Sequence, residues 1–292
     1  MASGVLMLIF SFLAFYKVEE TDFFEGEKWS AWSNALSLFP LATLVVIGMV
    51  VLAVVVAIDR FADAGIPERV ALFSWSDLRL LLGVLGTITL LGYLFRSGGI
   101  DKGIGLYVCT LATIGMIAGA VMERSEAGFA AADDSGGGSG GQPTPADWVI
   151  IGAGVAILIG SFLNVVEETS AWGEGAFPIY AIPAILGVVM LIQVAVSTFT
   201  RAQLPGSVLG LTWNQVHLAL GGWAALSMIC FLIGRITVEG DDVSWKIGFW
   251  IMLIASLGLV AGAVMRLQEA NRPATPVAPP PAGGPPPPPP PA

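Results

Sequence analysis

Apolar residues fall in eight long runs, at about residues 1–17, 40–58, 78–95, 104–122, 148–165, 178–199, 214–234 and 246–265, with short polar segments between them. A hydrocarbon layer about 30 Å thick is crossed by about 20 apolar residues in helical form. Backbone groups at that depth must be satisfied within their own segment, so runs of this length read as helices. Membrane strands would be about half as long and would alternate apolar with polar. The run from Met1 to Tyr16 has no Lys or Arg before it and no small-residue cleavage signature after it. Trp148 to Val165 holds the same place in the second half of the chain, so the first run is expected to be a membrane helix rather than a signal peptide.

The runs form two sets. Ala118-Gly119-Ala120-Val121-Met122 returns letter for letter as Ala261-Gly262-Ala263-Val264-Met265, and Val18-Glu19-Glu20-Thr21 returns as Val166-Glu167-Glu168-Thr169. Between the sets lies a polar glycine-rich tract, Asp133 to Gln142. The expected organisation is a four-helix repeat over 1–124, a flexible linker over 125–147, a second four-helix repeat over 148–268 and a disordered Pro-rich tail over 269–292. An even number of crossings returns the chain to its starting side, so both copies enter the membrane the same way up. The fold class is therefore an all-α integral membrane protein, with eight transmembrane helices as two parallel-oriented four-helix repeats.

Each copy carries an acidic and aromatic loop after its first helix, with Glu19 and Glu20 answered by Glu167 and Glu168. Pro40, and either Pro178 or Pro183, open the second helices, where a missing N–H costs little. Trp75 and Arg79 at the start of the third helix are matched by Trp213 and His217. Four residues apart, each pair shares a helix face. It suits an interfacial anchor, or a proton or ligand site if the ionisable group lies at membrane depth. In the fourth helices Gly115 and Gly119 are matched by Gly258 and Gly262, small residues one turn apart that allow another backbone to approach closely. The tail ends in the proline run Pro285 to Pro291, an extended, solvated segment that could also engage a polyproline-binding partner.

Composition agrees with lipid as the solvent: 55% of residues are hydrophobic, 12% are charged, and the mean hydropathy is +0.79. A net charge of −9 without a basic patch excludes nucleic acid as a partner. Cys109 and Cys230 sit in separate apolar runs and read as core residues. The chain holds one histidine, His217, and no His-x-x-Glu-His, Gly-x-Ser-x-Gly or phosphate-cradling loop, so neither catalytic residues nor a cofactor are expected. The acidic loops could offer oxygens to a hard cation, but adjacent surface acids are commonly just solvated. Toward the helix centres the polar side chains noted are Gln193, Thr87 and Thr89, fewer than an ion-coupled transporter would show.

The order of helix, acidic-aromatic loop, helix, proline-containing loop leading to Trp75 or Trp213, helix, short loop and helix, with a proline-rich tail, resembles uncharacterised four-helix membrane proteins of actinobacteria. Among them is the family of the 34 kDa antigenic protein. The resemblance implies a plasma membrane location and a role near the cell envelope, and it supplies no catalytic residues. The expected function is a non-enzymatic scaffold or accessory subunit, with the alternative of a small-solute transporter or channel at the interface between the repeats. Its expected partners are the lipid bilayer and a membrane protein or a second copy of the chain. The basic residues divide almost evenly between the two sides. The orientation chosen places the N-terminus, linker and tail in the cytoplasm, which avoids moving the linker and tail across the bilayer.

Overall fold

The computed structural model describes residues 1–18, 26–34, 37–62, 65–96, 100–126, 143–174, 176–200, 204–236 and 244–271. The glycine-rich tract, residues 272–292 of the expected Pro-rich tail and the expected acidic pair Glu19 and Glu20 lie outside the described residues. The chain is mostly helical. Helices α2 (Leu41–Phe61), α3 (Trp75–Phe95), α4 (Ile104–Glu126), α5 (Pro145–Phe162), α6 (Ile182–Phe199), α7 (Trp213–Ile236) and α8 (Ile247–Ala270) follow α1 (Ala2–Ser11). The last seven, α6 with the 3₁₀ turn before it, are long and apolar enough to cross a membrane.

The first helix departs from expectation. It has ten residues, about 15 Å of rise, roughly half a hydrocarbon layer. The apolar stretch runs on to Tyr16, but its last part leaves the helix because the Phe15 N–H bonds to the Trp29 carbonyl and Tyr16–Lys17 pairs with two other segments. These form a small sheet of β1 (Tyr16–Lys17), β2 (Lys28–Trp29) and β5 (Asp101–Lys102), with β1 in the middle. In the second half β6 (Asn164–Val166) pairs with β7 (Thr169–Ser170), and Val166 bridges to Trp245. At the opposite end of the bundle lie two hairpins, β3 (Arg69–Val70) with β4 (Phe73–Ser74) and β8 (Ser207–Val208) with β9 (Leu211–Thr212). Strands of two or three residues are too short to leave a period in the sequence, and none was expected.

Within the first half α1 packs on α2 and α4, and α3 packs on α2 and α4. Within the second, α5 packs on α6 and α8, and α7 packs on α6 and α8. The halves meet where α2 lies against α7 and α3 against α6. Inward faces are filled by residues such as Met49, Leu90, Leu106, Ile157, Met190 and Met252, all buried, while Leu111, Val155, Ile192 and Ile254 stay exposed on outward faces. Helices apolar on both faces are what a lipid-facing bundle requires. Inside, hydroxyls return to their own helix: Thr87 donates to the Gly83 carbonyl, Thr110 to Leu106 and Ser227 to Trp223, so each of these hydroxyls is satisfied.

Candidate functional site

The chemistry-bearing side chains gather at the hairpin end. In each hairpin the chain turns through a residue of positive φ, Ala71 at 55° and Leu209 at 54°. Each hairpin then feeds a helix through a reciprocal cap. The Asp77 amide donates to the Ser74 hydroxyl and the Ser74 amide to the Asp77 carboxylate. Thr212 and Gln215 make the corresponding exchange, with the Gln215 side-chain oxygen as acceptor. The tryptophans found by repeat are fixed in the same way: the Trp75 indole donates to the Pro67 carbonyl at 2.8 Å and the Trp213 indole to the Pro205 carbonyl at 2.7 Å.

One turn on, the two halves diverge. Arg79 forms an ion pair with Glu123 of α4, with contacts of 2.8 and 2.9 Å. His217, at the matching place, is 1% exposed and faces Arg266 of α8, with 3.1 Å between His217 Nδ1 and Arg266 Nη1. A guanidinium can only donate, so Nδ1 accepts and the neutral ring carries its proton on Nε2. Arg266 Nε lies 3.2 Å from Asp147 Oδ1, an ion-pair contact whose alignment falls short of a hydrogen bond. The other Asp147 oxygen caps α5 by accepting from the Thr144 amide. His217 Nε2 is buried and has no partner among the described residues, and the same is true of Gln193 Oε1 on α6. The sequence offered His217 with Trp213 as an interfacial anchor or as a proton or ligand site; in the structure the two rings lie 6.2 Å apart between centroids, and the imidazole is buried.

Two further polar arms cross between the halves. Arg124 pairs with Asp77 and donates to the Leu209 carbonyl. Gln215 donates to the Leu72 carbonyl at 2.7 Å. Glu123, Asp147 and Arg266 were missed as site residues because they sit near helix ends whose pairing no sequence spacing reveals. The signal available was position: Glu123 and Arg266 follow the repeated Ala-Gly-Ala-Val-Met motif directly.

The packing glycines behave unequally. A Cβ on Gly258 would sit 3.1 Å from the Ala153 Cβ, and one on Gly262 would sit 2.5 Å from Ile150 Cγ1, so both lie tight against α5. A Cβ on Gly115 would meet only the Ser3 hydroxyl at 3.1 Å, and Gly119 has nothing within 4 Å among the described residues. Among the described residues Gly119 therefore meets no other helix, because α1 reaches Gly115 but not the next turn of α4. Glu168 is exposed, and the Glu167 amide reaches the Ser244 carbonyl. Among the described residues no three His, Cys, Asp or Glu side chains cluster as metal ligands would. Cys109 and Cys230 are both buried and unbridged.

The sheet end is held differently. The Tyr16 hydroxyl donates to the Tyr93 carbonyl, the Tyr93 hydroxyl to the Ser37 carbonyl, and the Ser37 and Tyr180 hydroxyls are bonded at 2.9 Å, which links the halves. Burial pushes the Tyr16 phenol above its ordinary pKa, outweighing the opposing pull of Arg96. Indoles again fix the loops: Trp32 donates to the Ser11 hydroxyl and Trp172 to the Ser161 hydroxyl. Comparison with protein families, with curated proteins and with solved structures gives no match to this chain.

Proposed function

We propose that the chain is a four-helix membrane unit present twice, both copies the same way up, serving as a non-enzymatic scaffold or accessory subunit in the plasma membrane. α1 is the first helix of the first unit, inserted about half-way. The envelope role follows the architectural resemblance to the actinobacterial proteins. Support for the duplication comes from paired details: Trp75 to Pro67 and Trp213 to Pro205, Trp32 to Ser11 and Trp172 to Ser161, each at the same place in its half.

The observation that carries the scaffold reading is the seam between the units. A Cβ on Gly92 would lie 2.9 Å from Ile182 Cδ1, and one on Gly234 would lie 2.6 Å from the Phe39 carbonyl oxygen. Across the same seam the Trp223 indole donates to the buried Thr89 hydroxyl at 3.1 Å. Surfaces packed this closely suit a fixed platform better than a path for solute. Transport is the second reading because Gln193 and His217 each bury a polar atom without a partner among the described residues.

Affinity purification of the tagged full chain from native membranes should bring down a membrane partner in fixed ratio. Saturable flux of a small neutral solute into liposomes holding only this protein would overturn the scaffold reading in favour of transport.

A further inference from the structure

The three helices α5, α7 and α8 converge on one unfinished hydrogen-bonding arrangement. Arg266 donates to His217 Nδ1 and sits beside Asp147, so its charge is balanced. This leaves the Nε2–H of His217, a residue 1% exposed, with no acceptor among the described residues. A buried donor without a partner costs about 1–3 kcal/mol in a protein.

At the matching place in the first unit nothing is left open: Arg79 and Glu123 satisfy each other through two contacts. This contrast rests on the equivalence of the two units proposed above.

We propose that the second unit binds a small neutral hydrogen-bond acceptor at His217 Nε2, water being the smallest member of the class. Charge decides the class. An added cation would face the Arg266 guanidinium, and an added anion would face the Asp147 carboxylate, which is 5% exposed. With those two charges already paired, a further ion would stand uncompensated in a low-dielectric setting. A neutral acceptor completes the donor without disturbing the pair. Arg266, with a side chain 21% exposed, is the most accessible of the three groups.

The single histidine makes the test direct. In full-length protein labelled with ¹⁵N only in histidine and reconstituted in bilayers, the imidazole should be neutral, protonated on Nε2, and should receive magnetisation from water protons at that nitrogen. A ring protonated on Nδ1, or an Nε2–H that receives none, overturns the proposal. This readout does not involve the relation between the units, so a failed duplication reading would leave it standing, and a failed site would leave the duplication untouched.

Discussion

Gly262 and Gly119 occupy matching places in α8 and α4, yet a side chain would meet opposite surroundings at the two. At Gly262 a leucine would press on Ile150 and its backbone, and overpacking of that kind costs about 1–3 kcal/mol. At Gly119 it would enter open space. Thermal unfolding in detergent should therefore show a clear drop for Gly262→Leu and almost none for Gly119→Leu; equal drops would contradict the packing described. Tyr16 makes a prediction in pH. Burial raises its folded pKa, so the neutral phenol is favoured in the fold. Its stabilisation is complete below the ordinary tyrosine pKa of about 10 and is lost as pH rises through the higher folded value. Tyr16→Phe should cost about 1 kcal/mol at neutral pH by removing the bond to the Tyr93 carbonyl. It should also make the alkaline fall in Tm shallower, which a pH series of unfolding curves would reveal.

At the scale of elements, the cap of α3 and the tie to α4 share one carboxylate. Asp77 accepts from the Ser74 amide and pairs with Arg124. Ser74→Ala loses half of a cap, about 1 kcal/mol, whereas Asp77→Ala loses a cap and a partly buried ion pair and should lower Tm further in the same assay. The long apolar runs made α2 to α8 legible in the sequence, because only helices satisfy backbone groups over such lengths. The length of α1 was not legible: Phe12 to Phe15 are as apolar as the helix before them, and only pairing with Trp29 and Lys102 takes the chain out of helical form. Repeat matching found Trp75, Arg79, Trp213 and His217. It could not find that His217 looks to Arg266, since that contact joins the start of one helix to the end of another. Nor could two identical Ala-Gly-Ala-Val-Met motifs disclose that, among the described residues, only the second presses its glycine against a neighbouring helix.

For the whole molecule, the arrangement places both hairpins on one side of the bundle and the small sheets on the other. Single cysteines at Val70 and Leu209, both exposed hairpin positions, should react with a membrane-impermeant maleimide from the same side of sealed vesicles. Cysteines at Lys28 and Glu168 should react from the opposite side. Labelling of Val70 and Leu209 from different sides would refute two units inserted the same way up. The seam itself is secured unequally along its length. At the hairpin end two long polar arms, Arg124 and Gln215, each grip a backbone carbonyl of the other half. Toward the sheet end the separation is set by Gly92 and Gly234, where backbone and branched side chains leave no room for a methyl group. A bulky residue at Gly234 would consequently behave as a wedge, splaying one end of the pair while the far end stayed tethered, so that tilt rather than separation is the softest way for the two halves to move apart.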